Sequence, residues 1–267
     1  MYKLNMRAAI ILVLSFILGL GPLEASFIHP RIINGHNATS GQFPWIVTIT
    51  GKTKSGDQTF CNGVLVSNKA ILTAAQCLDG IKRVSVSLGS VKRDVPLVHT
   101  TSHHFAIHPK YNATTFANNI GLITLANPLS FTKFIKAIQL PSYIHRSDTF
   151  TNSIATLVGF GRLGNTGSPA SRLQFAKVKI LPEKKCQSYY GSLVSTTNTM
   201  CSVGSENDVQ GACPNDNGSP LIITEKLTDI LIGIASFIST KGCEAGHPTG
   251  YVRIGPYVTW IREHIGY

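Results

Sequence analysis

The stretch ACPNDNGSPLI at 212–222 places several reactive side chains between a cysteine and a proline. Asp216, Asn217 and Gly218 have the residue types of a tight turn. Asp216 supplies a carboxylate, whereas Asn217 has neither a hydroxyl nor a thiol with which to act as a nucleophile. Asn217, Gly218 and Ser219 instead form a sequon for N-glycosylation. The chemistry of this stretch therefore depends on which residues the fold brings beside it.

Two further sequons begin at Asn37 and Asn112. Each is a candidate for glycosylation if the chain passes through the secretory route. The alternative, an unmodified sequon in a segment that folds too fast or too tightly, stays open, above all at Asn217.

The histidines and cysteines do not have the spacing of a metal site. His103 and His104 would point to opposite faces of a strand, and His108 begins an ordinary loop sequence. No CxxC motif and no Cys/His ligand spacing occurs, so neither a metal nor another cofactor is expected. The six cysteines allow 15 disulfide connectivities, which spacing alone cannot resolve.

The N-terminus has the organisation of a signal peptide over residues 1–25. Lys3 and Arg7 precede the apolar run 8–21, and Ala25 is a suitable cleavage residue. A membrane anchor is the alternative, but the run is shorter than the roughly 20 residues that span a bilayer. We therefore expect a secreted, extracellular protein with disulfides and no transmembrane segment.

The composition is that of a basic globular protein, with 24 Lys and Arg against 13 Asp and Glu and a net charge of +11. Loss of Lys3, Arg7 and Glu24 with the signal would leave +10. This charge favours an anionic partner such as a glycosaminoglycan or a membrane surface. The alternative, favoured because no run of Lys or Arg exceeds two residues, is a basic surface that only contacts solvent. Nucleic acid is not expected, because no recognised binding module is present.

Short stretches rich in Val, Ile, Thr and Phe recur between turn residues and predict an all-β barrel or sandwich. They are residues 43–51, 62–75, 83–91, 120–129, 152–164, 173–181, 219–224, 227–239 and 249–255. Tyr257, Trp260, Ile261 and Ile265 have helical spacing, so the chain is expected to end in an amphipathic helix.

Four separated segments resemble trypsin-like serine proteases: RIINGHNATSGQFPWIV (31–47), CNGVLVSNKAILTAAQC (61–77), ACPNDNGSPLI (212–222) and the segment 234–261. The resemblance covers about residues 31–267. It implies two six-stranded antiparallel β-barrels with the active cleft between them and a C-terminal helix. The implied organisation is a propeptide at 26–31, a protease domain at 32–267, barrels at roughly 32–145 and 146–255, and a helix at 256–266. The implied disulfides are Cys61–Cys77, Cys186–Cys201 and Cys213–Cys243.

The catalytic His, Asp and Ser of that family would fall at Gln76, Asn119 and Asn217. A Gln amide is no general base, an Asn amide carries no charge to steady an imidazolium, and Asn217 lacks a nucleophilic atom. A slip in alignment is the alternative, but no Asp or Glu lies between Asp94 and Asp148 and no His between His36 and His99. These positions predict that the chain is not an enzyme.

The resemblance also implies an activation site. A cut after Arg31 would free Ile32, whose new amine pairs in the family with the residue at Asp216. The alternative is that Arg31 and Ile32 are a relic and Asp216 only caps a turn. The backbone N–H groups of the family's oxyanion hole would belong to Asn215 and Asn217.

The family's specificity pocket maps onto Gly211, Ser236, Ile238 and Thr249. Gly211 replaces the acid of a trypsin, and the β-branched Ile238 and Thr249 are expected to fill the entrance. A large substrate side chain is therefore not expected there.

These observations favour a secreted regulatory or adaptor protein that binds another, unidentified extracellular protein. The alternative is an effector that binds glycosaminoglycans or membranes through its charge, and the third possibility is an active endopeptidase.

Overall fold

The structure, a computed structural model, describes residues 35–53, 55–195, 197–205 and 210–266. The predicted signal peptide and propeptide, with Arg31 and Ile32, lie outside the described residues. Within the described ranges, no helix has the length and apolar character needed to cross a membrane.

The described residues form fourteen strands and two α-helices. The strands are β1 (His36–Asn37), β2 (Ile46–Thr53), β3 (Gln58–Leu65), β4 (Ala70–Thr73), β5 (Ile81–Leu88), β6 (Val98–Ser102), β7 (His104–Ile107), β8 (Gly121–Thr124), β9 (Ile154–Gly159), β10 (Gln174–Ile180), β11 (Thr199–Gly204), β12 (Pro220–Glu225), β13 (Thr228–Phe237) and β14 (Thr249–Arg253). The helices are α1 (Glu183–Tyr190) and α2 (Val258–Ile265).

The first sheet has the order β6-β5-β2-β3-β4-β8-β7, and all its neighbouring strands are antiparallel. Only His103 separates β6 from β7, so the sheet returns on itself through one strand that bends at this residue. The Ser102 hydroxyl stabilises the bend by accepting from the His104 N–H at 3.0 Å and donating to the Thr124 carbonyl at 2.6 Å.

The second sheet has the order β1-β10-β11-β14-β13-β12-β9. Because β9 also pairs with β10, the six strands from β9 to β14 close into a barrel, and β1 extends it at β10. The predicted all-β fold, with two barrel-like antiparallel sheets and a C-terminal helix, is confirmed.

Alternation along the strands explains why each sheet has an inner and an outer face. In β10, Ala176 and Val178 are buried whereas Lys177 and Lys179 are exposed. Side chains two apart share a face of a strand, so this pattern buries one face of the sheet. A continuous apolar core then joins the first sheet to α2, in which Val258 and Ile261 are buried.

The three disulfides implied by the family resemblance are present: Cys61–Cys77, Cys186–Cys201 and Cys213–Cys243. The first joins β3 to the 3₁₀ turn Ala75–Cys77, and the third joins the start of the 212–222 stretch to the turn after β13.

Candidate functional site

The sequence-predicted residues Gln76, Asn119 and Ser236 meet between the two sheets. Gln76 lies in the turn after β4, and Asn119 lies two residues before β8 and is fully buried. Asn119 Nδ2 donates to Gln76 Oε1 at 3.0 Å and to Ser236 Oγ at 2.8 Å. Gln76 donates its backbone N–H to Asn119 Oδ1 at 3.0 Å and its Nε2 to the Ser236 carbonyl at 3.1 Å. The two amides and Ser236 therefore form one connected network.

This network holds the two amide groups in fixed orientations. Neither amide gains or loses a proton near neutral pH, because Asn and Gln side chains donate and accept hydrogen bonds without titrating. Asn119 and Ser236 are buried and Gln76 is half-buried, and hydrogen bonds that share a buried group reinforce one another. The arrangement holds the end of β13 at Ser236 in place relative to the first sheet.

Asn217, the position predicted for the catalytic Ser of the family, lies in the turn between Cys213 and β12. Its neighbour Asp216 is fully buried. One oxygen of that carboxylate accepts from the Gly161 N–H at 2.9 Å and the Ser219 hydroxyl at 3.2 Å, and the other accepts from the Cys213 N–H at 3.0 Å. Burial raises the pKa of the Asp216 carboxyl to about 6, and these three donors oppose the rise. Asp216 thus closes the turn through Cys213 and Ser219 and fixes it to Gly161, two residues after β9.

Asn62, on β3, connects the same turn to the first barrel and is fully buried. Its Nδ2 donates to the Asn215 carbonyl at 2.9 Å, and its backbone N–H donates to the Asn217 carbonyl at 2.8 Å. Its Oδ1 accepts from the Phe160 N–H at 3.1 Å, and its carbonyl accepts from the Thr73 hydroxyl at 2.7 Å. Asn215 is held with a positive φ of 72°, which Asn tolerates better than most residues.

The predicted specificity positions Gly211, Ile238 and Thr249 line a cavity of about 380 Å³. Whether Ile238 and Thr249 fill the entrance of this cavity stays a prediction, since both residues line it. The Thr249 hydroxyl accepts a hydrogen bond from the Ala212 N–H at 3.0 Å. This bond holds two residues of the cavity wall together. Ser236, the fourth position, lies in the amide network and lines a neighbouring cavity.

That second cavity, of about 260 Å³, lies where Ser236 and Phe237 end β13. The ring of Phe237 stacks on Phe116, with centroids 5.9 Å apart, and meets Tyr190 edge-on at 5.1 Å. Tyr190 in turn donates its hydroxyl to the Pro248 carbonyl. The end of β13 is thus flanked by two cavities, one on the Phe237 side and one on the Ile238 side.

Some residues of the site were not found from the sequence. Ser239 and His247 both line the larger cavity, with Ser239 Oγ and His247 Nδ1 3.4 Å apart. They are eight residues apart in an irregular segment, and no local motif marks them. Asn62 was missed because it belongs to no catalytic or binding motif. The signal that could have found it is a polar residue inside an apolar strand, since a buried polar side chain needs hydrogen-bond partners.

The glycosylation candidates have different environments. Asn37 and Asn112 are exposed, and the side-chain oxygen of Asn112 accepts from the N–H groups of Thr114 and Thr115, both at 2.9 Å. Asn217 is half-buried, and the hydroxyl-bearing residue of its sequon, Ser219, is fully buried.

Known proteins with similar sequences include a collagenase of Hypoderma lineatum, 32% identical over 236 residues, which span 88% of each protein. A brachyurin of Leptuca pugilator is also 32% identical, over 214 residues that span 79% of this chain and 89% of that protein. Both matches therefore cover more than three quarters of this chain.

These relatives contradict the prediction that the chain is not an enzyme, because proteins that match it over most of their length bear the names of enzymes. That prediction was drawn from three residue types. The residue types at Gln76, Asn119 and Asn217 concern one catalytic route only. The cleft is still present, as is the turn that carries the N–H groups of Asn215 and Asn217. The residue types at three positions therefore do not decide activity.

The solved structure titled "HL collagenase structure at 1.7 Å resolution" superposes with a TM-score of 0.81 at 30% identity, covering 88% of this chain and 99% of that one. The sequence profile of the family described as "Trypsin" matches residues 32–261. Both comparisons cover the two barrels and the cleft between them. The chain belongs to the trypsin family of serine proteases.

Proposed function

We propose that the chain is a secreted, extracellular protein of the trypsin family that binds an extended segment of another extracellular protein in the cleft between its barrels. The observation that carries the proposal is the pair of cavities, about 380 and 260 Å³, on the two sides of the end of β13. An extended peptide that lies along a strand end directs alternate side chains to opposite sides. The two cavities, on opposite sides of the end of β13, could each receive side chains from one side of such a peptide.

The amide network supports this mode by making the strand end rigid. Ser236 is held at its carbonyl by Gln76 and at its hydroxyl by Asn119. A preorganised strand end lowers the entropy lost on binding. The partner's chemistry follows from the walls: neither set of described lining residues includes Asp, Glu, Lys or Arg, so we expect neutral side chains to enter.

A peptide display library is the direct test, with the secreted chain as bait and collagen-derived peptides included because a relative is named collagenase. Ile238→Arg places a long cation in the larger cavity, and Phe237→Ala removes the aromatic wall of the smaller one. Leu227→Ser is the matched control, because Leu227 is 100% exposed and lies at the other end of β13, roughly 30 Å away.

We expect selected peptides to lose at least about tenfold in affinity on Ile238→Arg, equal to about 1.4 kcal/mol, and to keep it on Leu227→Ser. Peptides that bind Ile238→Arg as tightly as Leu227→Ser would contradict binding in the cleft. Mass spectrometry of the bound peptides then shows whether a bond has been cut, which distinguishes holding a segment from hydrolysing it.

A second candidate function is binding of a sulfated glycan. Lys52 and Arg83 are direct cross-strand neighbours on β2 and β5, and both are exposed. Like charges directly opposite each other on a sheet are destabilising, so an anionic ligand would relieve this pair. Elution from heparin at a lower salt concentration for Arg83→Gln, with peptide binding unchanged, would favour this function.

A further inference from the structure

The most exposed large apolar side chains of the described residues lie in two turns. Leu227 is 100% exposed, Tyr143 is 86% exposed and Ile144 is 77% exposed, and the next in order, Val95, is 64% exposed. Single exposed apolar residues are normal on a protein surface, so their number alone decides nothing. The position of these three relative to one another is what matters.

A contact of His145 brings the two turns together. His145 follows Ile144 directly, and its Nε2 lies 3.3 Å from Glu225 Oε2. Leu227 comes two residues after Glu225, which limits the distance between their Cα atoms to about 7 Å. Tyr143, Ile144 and Leu227 therefore belong to one surface, which we call the hairpin patch.

The backbone at the tip of the hairpin is strained for the residues that occupy it. Glu225 pairs with Thr228, so Lys226 and Leu227 form a two-residue loop between β12 and β13. Both loop residues have positive φ, 46° and 67° respectively. Such loops favour Asn and Gly, because these residues tolerate the left-handed region, whereas Leu does not. A fully exposed Leu gains no packing in return for this strain, so its presence points to a role in binding.

Two cations flank the hairpin patch. Lys226 is exposed beside Leu227, and the guanidinium carbon of Arg146 lies 6.0 Å from the centre of the Tyr143 ring. A Tyr ring with a neighbouring Lys or Arg suits the boundary between the acyl chains and the headgroups of a bilayer, because the long basic side chain reaches a phosphate while its stem stays on apolar surface.

Three acids of the same two segments have polar partners within the protein. Asp148 and Glu225 contact His145 at 2.9 and 3.3 Å, and Asp229 accepts from the Thr224 hydroxyl at 2.8 Å. These contacts reduce the repulsion that the carboxylates would exert on lipid phosphates. Over the whole chain, the net charge of +11 favours approach to an anionic surface.

We propose that the hairpin patch docks the protein on a phospholipid bilayer, with its three apolar side chains in the acyl boundary and the two flanking cations at the phosphates. A bilayer accepts side chains that project from turns, whereas a protein partner would need pockets matched to them. The patch lies at the Thr228 end of β13 and the cleft lies at the Phe237 end. Docking on lipid and binding in the cleft are therefore independent.

Sedimentation of the secreted protein with vesicles of phosphatidylcholine, with and without phosphatidylserine, measures the docking. The patch variant combines Ile144→Ser and Leu227→Ser. The matched control combines Val95→Ser and Leu97→Ser, because these side chains are 64% and 59% exposed in a different place, just before β6. We expect the patch variant to bind both kinds of vesicle at least about tenfold more weakly, since two large apolar side chains no longer leave water, and the control to bind like wild type.

Leu227→Asn separates docking from folding. Asn tolerates a positive φ better than Leu, so this variant should unfold at the same or a higher urea concentration than wild type and still bind vesicles more weakly. Vesicle binding as tight as that of wild type would contradict the role of Leu227.

Other results would overturn the proposal as a whole. They are no binding of wild type to either kind of vesicle, equal weakening in the patch variant and the control, and binding that needs phosphatidylserine, is abolished by salt and persists in the patch variant. A wild-type dimer that dissociates in the patch variant, without vesicle binding, would also overturn it and assign the patch to self-association.

Discussion

Gln76 and Asn119 are joined by two hydrogen bonds that run in opposite directions, each 3.0 Å long. The backbone N–H of Gln76 donates to the Asn119 side chain, and that side chain donates back to Gln76 Oε1. One amide therefore fixes both the turn after β4 and the Gln76 side chain. The pair also reaches Ser236 across the cleft, which makes it a structural link between the sheets.

Asn119→Leu should destabilise the fold by about 2–4 kcal/mol, because Asn119 is fully buried and its loss strands the Gln76 N–H and the Ser236 hydroxyl. The measurement is urea unfolding of the secreted protein, with exposed Asn68→Ala as the control. A change below about 0.5 kcal/mol, the range of ordinary surface substitutions, would show that the amide network contributes little to stability.

Asp216 should make the folded state less stable as the pH rises. Burial raises the pKa of its carboxyl to about 6 in the folded protein, so the folded state holds the proton more tightly than the unfolded chain. The resulting stabilisation is complete below the unfolded pKa of 3.8 and is lost as the pH rises through about 6. The loss is about 3 kcal/mol by linkage.

The difference in unfolding free energy between wild type and Asp216→Asn isolates this effect, since all other groups titrate alike in both proteins. We expect the difference to change in favour of the variant by about 3 kcal/mol between pH 3.5 and pH 7. A difference that is flat with pH would mean that the pKa of Asp216 is the same in the folded and unfolded states, and would contradict a pKa raised by burial.

The fold could be predicted because its signals are local and repeated. The alternation in β10 and the apolar stretch 227–239, observed as β13, mark strands without reference to the rest of the chain. The interval 62–75, read as one stretch, contains the end of β3 and all of β4, because Ser67, Asn68 and Lys69 form a tight connection. Helix α1 was missed because only Cys186 of its eight residues is buried, which leaves no apolar stripe.

The site could be located only in part, because its contacts are distant in sequence. Gln76, Asn119 and Ser236 were found through a family resemblance, and the structure brings them together. The hydrogen bond from Asn62 to Asn215 spans 153 positions and has no local signature. The direction of the Thr249 hydroxyl is set by the Ala212 N–H, a contact between distant residues that cannot be read from residue type.

His145 should titrate with a raised pKa, because its Nδ1 bonds the Asp148 carboxylate at 2.9 Å and its Nε2 lies 3.3 Å from Glu225. The charged imidazole ties the 144–148 turn to the β12–β13 hairpin. Its contribution to stability is present below pH 6.5 and is lost as the pH rises through the folded pKa. An NMR titration should show the pKa of His145 falling on Asp148→Asn, and an unchanged value would contradict the ion pair.

Glycans should be found at Asn37 and Asn112 but not at Asn217 when the chain is made in a eukaryotic secretory host. The first two side chains are exposed, whereas Asn217 is half-buried and Ser219 donates its buried hydroxyl to Asp216. Deglycosylation converts an occupied Asn to Asp, and peptide mass spectrometry reads each position. Because Asn217 precedes Gly218 and such a pair also deamidates without a glycan, only a conversion at residue 217 that requires the glycosidase would show that a glycan occupies the cleft.

Gly218→Ala and Gly167→Ala form a matched pair that separates backbone strain from packing. Both glycines have positive φ, 82° and 95° respectively, so alanine costs about 1–2 kcal/mol of backbone strain at each. Only at Gly218 would the new Cβ meet other atoms, 2.0 Å from the Asn62 carbonyl oxygen and 2.4 Å from the Thr73 hydroxyl, whereas nothing lies within 4 Å at Gly167. Overpacking of this kind adds about 1–3 kcal/mol. Urea unfolding should therefore show the larger loss for Gly218→Ala, together with faster amide exchange in the turn from Cys213 to Ser219. Equal losses for the two variants would show that the turn can move away from Asn62 without cost, and that the two barrels do not hold it.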